Sequence, residues 1–174
     1  MAPPRTLPFD IVLALRLVSA PGTLVRLADE LAVVPSQVHS SLARLKRAGL
    51  LRPDSRETNA RALNEFLLYG VRYTFPARRG SLAIGVPTAH SAPRLAPLID
   101  AVDAVVWPAP RAKAAVQGFA VAPLYPGATE LRERSPETYL LVTLVDALRL
   151  GDRQLRGAAR QLLSAALGNP ATVG

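Results

Sequence analysis

Between Leu24 and Gly49 the apolar residues fall at helical spacing twice over, with room for only a short turn between the runs. Leu24, Leu27, Ala28 and Leu31 line one face of a first helix, which Thr23 can cap and which runs through Ala32. A second helix opens at Pro35 and Ser36, and places Val38, Leu42 and Leu45 at i, i+4 and i+7. It meets Gly49 where a helix C-terminal glycine belongs. Helices joined this tightly have to cross: Ala28 is small where they approach, and Leu31 and Val38 fill the space between them. Leu42 and Leu45 then seat the second helix on an earlier one, which starts at Pro8, buries Phe9, Val12, Leu13 and Leu17, and ends before Pro21 and Gly22.

The outward side of the helix at 36–48 follows from its inward side. With Val38, Leu42 and Leu45 in the core, Ser36, Gln37, Ser40, Ser41, Arg44 and Arg47 are expected toward solvent, and no acid stands among them. Residues 36–56 carry Arg44, Lys46, Arg47, Arg52 and Arg56 against Asp54 alone, which is half of the formal +8 of the chain. Lys46 and Lys113 are the only lysines, so arginine-rich composition is one account of the charge. It explains the residue type and not the clustering: beyond Ser135, Arg149, Arg153, Arg156 and Arg160 are nearly balanced by Glu137, Asp146 and Asp152. A cluster of this kind suits phosphate contact.

The stretch from Leu27 to Leu51, closing on Lys46, Arg47, Ala48, Gly49, Leu50 and Leu51, resembles the helix-turn-helix of bacterial winged-helix transcriptional regulators of the MarR-like and antitoxin type. The likeness covers about residues 8–52. It departs at Ala32, where the pattern has glycine; a left-handed alanine costs about 1 kcal/mol more than glycine. The resemblance implies a DNA-binding repressor whose helix 36–48 enters the major groove of double-stranded DNA. Gln37, Arg44 and the serines Ser36, Ser40 and Ser41 would then meet base edges, and Arg47, Arg52 and Arg56 phosphates. Leu50 to Arg52 supplies one strand of a wing, but residues 53–58 leave little length for a second.

Beyond residue 58 the sequence predicts an α+β chain: the N-terminal winged helix-turn-helix of residues 1–58, then a unit over 59–174 with a small antiparallel sheet and C-terminal helices. Asn59 or Thr58 caps a helix ending at Gly70. Val71, Tyr73 and Phe75 alternate like a strand and, across a turn at 76–80, face Leu82, Ile84 and Val86 as a hairpin, with Arg78 and Arg79 at its tip. Those arginines suit a substitute wing in a minor groove, or merely a soluble turn. Residues 102–107 and 116–124 extend the sheet, their prolines confining them to edges. Ser135, Pro136 and Glu137 start an apolar helix to Leu150, and Gly151 and Asp152 lead into another through about Leu167. The helix from Tyr139 to Leu150 is apolar on more than one face, which suggests either a central helix or a dimer seam; two-fold regulators need such a seam to space two recognition helices, so a homodimer is expected.

Chemistry-bearing residues are few. There is no cysteine, and neither His39 nor His90 has a second ligand at metal spacing. His39 is expected on the surface or against DNA; Asp100 and Asp103 are expected to be solvated acids; Tyr69, Tyr73 and Phe75 are expected in the core of the sheet. No phosphate-binding glycine loop or nucleophile elbow occurs, so the expectation is a protein that is not an enzyme and uses no cofactor or metal. No apolar run reaches the roughly 18 residues of a membrane span, and no apolar signal segment precedes Asp10, so a cytoplasmic protein without a membrane partner is expected. The stretches Asn64 to Pro76, Gly85 to Thr88 and Tyr139 to Arg149 resemble small bacterial helix-turn-helix regulators. Some of these accompany nucleotidyltransferase-type toxins as antitoxins, which implies a protein partner besides DNA.

Overall fold

Two helices without a polar face organise the molecule. In the computed structural model, which describes residues 5–168, α1 (Pro8–Ser19) buries every residue from Phe9 to Leu17, and α7 (Pro136–Leu150) buries all of Leu141 to Leu148. A helix that is apolar all round must be covered on several sides. Each covers the other in part, α2 (Leu24–Glu30) and α3 (Pro35–Arg47) complete the N-terminal side, and α4 (Ala60–Tyr69), α5 (Val71–Thr74) and α8 (Arg153–Gly168) complete the far side. The excess apolar surface of α7 is therefore used up inside one chain. It is the central helix of the two expected alternatives, and any pairing of copies has to use another surface.

The N-terminal helices form where their spacing places them. Thr23 Oγ1 accepts from the Arg26 amide at 3.2 Å, capping α2. The chain then turns through Ala32, whose φ of +52° lies in the left-handed region, and Gly49 ends α3 with φ +72°. Downstream, Leu51 and Thr58 make one antiparallel bridge, reinforced by the Arg52 amide on the Glu57 carbonyl at 2.9 Å. Asn59 Oδ1 caps α4 through the Ala62 amide.

The expected strand at 71–75 is instead the short helix α5. Val71 and Phe75, two steps of a strand alternation, are also i and i+4, and both are buried while Tyr73 is exposed. Phe75 packs edge-on against Phe66 of α4 at 6.3 Å, and the Gly70 carbonyl accepts from the Thr74 amide, so Gly70 bends the helical path without ending it. No 71–86 hairpin exists.

The sheet pairs β1 (Arg79–Pro87) with β2 (Val105–Pro108) and β3 (Val116–Val121), both antiparallel, while β2 and β3 run parallel, closing three strands into a tight barrel. It is therefore mixed and not wholly antiparallel as expected, and it has no free edges; Pro87 and Pro108 stand at strand ends instead. So small a closure needs backbone in side-chain space. A Cβ on Gly85 would fall 1.9 Å from the Trp107 carbonyl oxygen, and one on Gly118 would fall 2.7 Å from that of Ala104. The barrel is fastened to α7 by the fully buried Asp146, whose Oδ2 accepts from Trp107 Nε1 at 2.6 Å and Thr88 Oγ1 at 2.7 Å. Arg149 holds its Oδ1 at 2.6 Å and donates to the Phe75 carbonyl. Burial pushes the Asp146 carboxyl up, against the opposing pull of Arg149, Thr88 and Trp107.

No single described helix is long and apolar enough to cross a membrane. Buried residues from both sides of residue 58 belong to one apolar cluster. The first and last residues of the two expected units, 1–4 and 169–174, lie outside the described residues.

Candidate nucleic-acid interface

α3 packs on α1 and α2, burying Val38, Leu42 and Leu45 as its spacing predicts. Its buried stripe also takes in residue 41, because i, i+3, i+4 and i+7 counted from Val38 are 38, 41, 42 and 45. Ser41 is fully buried and donates to Asp10 Oδ1 at 2.6 Å. Arg44 turns inward beside it: its Nε lies 2.8 Å from Asp10 Oδ2 and its Nη2 2.7 Å from Oδ1, a bidentate pair. The Asp10 carboxylate further accepts from the Leu7 amide at 2.8 Å and is fully buried. The expectation that Ser41 faces solvent is thus corrected, and Arg44, expected toward solvent, is drawn onto Asp10 through Nε and Nη2 with its side chain 20% exposed. Both contacts hold α3 against α1.

The exposed side of α3 that remains is Ser36, Gln37, His39, Ser40, Ala43, Lys46 and Arg47, with no carboxylate. No ion pair engages Lys46 or Arg47 among the described residues. His39 stands on the surface, as one of its expected places. Arg52 is exposed and 3.6 Å from Glu57. Arg56 is exposed too and reaches the Gly22 carbonyl at 3.1 Å, between α1 and α2. Arg47, Arg52 and Arg56 are therefore presented from α3 and the bend that follows it.

The remaining expected residues lie in the other half of the chain. Arg78 is exposed and precedes β1; Arg79 opens β1, opposite Val121 of β3. Neither stands on a hairpin tip, and Arg79 borders a cleft shared with Asp100, Asp103 and Asp152, surroundings that repel a phosphate. Tyr69 and Tyr73, expected in the core, are instead 67% and 75% exposed, under the guanidinium groups of Arg160 and Arg72.

Asp10 is not among the expected site residues, although one acid in an otherwise apolar stretch from Pro8 to Ala14 signals a buried partner to be found. The clamps on α2 have no signal in local spacing. Arg16 and Arg26 both hold Glu30, whose carboxyl burial would raise and these two arginines bring below its usual range. The Tyr125 hydroxyl donates to the Leu31 carbonyl at 2.8 Å, and Arg134 donates to the Asp29 carbonyl and carboxylate at 3.0 Å. The turn between α2 and α3 is thereby fixed to the C-terminal half. No family model, curated protein or solved structure matches this chain.

Proposed function

We propose that the protein is a sequence-specific DNA-binding transcriptional regulator, a repressor, whose α1–α3 form a helix-turn-helix with a vestigial wing at Leu51 and Thr58 and whose α3 enters the major groove. The observation that carries this reading is the two-sided character of α3. One side is locked to α1 by Asp10, Ser41 and Arg44, and the other offers amide, hydroxyl, imidazole and cationic groups without a single acid. A rigid reader costs less on binding than one that must be ordered. Gln37 has the donor and acceptor pair that adenine needs, Ser36 and Ser40 serve base or phosphate, and Lys46, Arg47, Arg52 and Arg56 suit the backbone.

Selection of bound duplexes from a random pool, repeated over a range of salt, tests this. A consensus is expected, with Gln37→Ala losing about 1 to 3 kcal/mol and relaxing one base position, and Arg52→Ala weakening all duplexes alike while flattening the salt slope. Duplex binding indifferent to both changes overturns the reading. Two copies on a two-fold site belong to the same proposal, and light scattering of the DNA complex gives their number.

A second reading, a protein-interaction module such as an antitoxin, is favoured by one observation: Tyr69 and Tyr73 stand exposed beneath arginines, and both residue types are enriched at protein interfaces. Loss of a co-purifying partner in a Tyr69→Ala and Tyr73→Ala double variant, with duplex binding intact, would support it.

A further inference from the structure

Away from α3, the start of β1, the loop before β2 and the turn between α7 and α8 enclose a cleft of about 440 Å³. Four charged residues line it: Arg79, Asp100, Asp103 and Asp152. Among the described residues the Arg79 guanidinium has no carboxylate within 4.0 Å, although three line the same space, and neither Asp100 nor Asp103 is ion-paired. Asp152 accepts from the Leu155 amide at the head of α8 through one oxygen.

An independent sign comes from His90, which is 5% exposed and lines this cleft. Its Nε2 lies 2.7 Å from the Asp103 carbonyl oxygen, which can only accept, so Nε2 is the donor and Nδ1 is the ring's other hydrogen-bonding atom. Among the described residues Nδ1 has no hydrogen-bond partner and no fully buried side-chain nitrogen or oxygen is left unsatisfied, so Nδ1 is not sealed from solvent. Its mounting is strained as well as buried: the preceding Ala89 is fully buried at φ +47°.

We propose that this cleft is a binding site for a small zwitterion of the α-amino acid class. Its carboxylate pairs with Arg79, and the three N–H donors of its ammonium group are shared by the carboxylates of Asp100, Asp103 and Asp152, with His90 beside them. A cation alone leaves Arg79 unmatched, and an anion alone meets three carboxylates; a ligand carrying both charges finds a partner for each of its own. The site is independent of DNA reading by α3.

Calorimetric titration of the full chain with each of the common α-amino acids, at concentrations up to about 10 mM, tests the proposal, with butylamine and butyrate as probes carrying one charge each. At least one amino acid is expected to bind one to one, and butylamine and butyrate at least tenfold more weakly. Arg79→Gln and Asp100→Asn each change an exposed, unpaired side chain, so both should keep the far-ultraviolet spectrum of the parent and each lose at least tenfold in affinity. The His90 Nδ1 resonance should move on saturation. Absence of binding by every amino acid, binding that survives both substitutions, or equal binding of butylamine overturns the assignment.

Discussion

A single carboxylate decides how α3 sits. Asp10 is fully buried and holds Ser41, Arg44 and the Leu7 amide at once, so removing it strands two donors and a guanidinium. Breaking such a partly buried pair costs about 3 kcal/mol or more. Asp10→Ala is therefore expected to lower the unfolding free energy from denaturant titration by that amount, whereas Ser40→Ala, one residue from Ser41 but exposed, should change it by less than about 0.5 kcal/mol. Glu30 acts through pH. Its folded pKa lies below the unfolded value, so its contribution is complete above the unfolded pKa and is lost as pH falls through the folded one. Unfolding followed from about pH 6 to pH 3 should show a shallower loss in Glu30→Gln than in the parent. At this scale the sequence was only half legible. Core residues announced themselves by type, but Ser41 and Arg44 are polar residues whose burial depends on an acid 31 and 34 positions away.

Elements were legible where one periodicity ruled out another. α1, α2, α3, α4, α7 and α8 lie within a residue or two of their expected ranges, because apolar spacing and end signals at Thr23, Gly49 and Asn59 agree. The segment 71–75 is ambiguous because three alternating apolar residues contain an i, i+4 pair, and the helical choice is favoured by Phe66, which lies on another element. Two glycines separate the roles that this residue plays in elements. Gly85→Ala forces a Cβ against the Trp107 carbonyl and should cost on the order of 4 kcal/mol or prevent folding. Gly157 lies within α8 with nothing near the added carbon, so Gly157→Ala should raise stability by up to about 1 kcal/mol, read from thermal or denaturant midpoints.

Contacts join the two halves of the chain: α1 rests on α7, Tyr125 and Arg134 grip the turn between α2 and α3, and a single apolar cluster crosses residue 58. One unfolding transition is expected by calorimetry, and a fragment of residues 1–58 should not fold alone, since α1 would expose the side that α7 covers. Two separate transitions, or a folded fragment, would contradict this. By itself the sequence determined the helical elements, the excess of positive charge around α3 and the acid-free side of that helix, because spacing and charge are local properties that survive without a tertiary partner. Only the tertiary structure decided which polar residues are spent inside, that α7 is central, that three strands close on Gly85 and Gly118, and that Arg79 shares a cleft with His90 and three aspartates. Those are distances between residues far apart in the chain, and composition and periodicity carry no record of them.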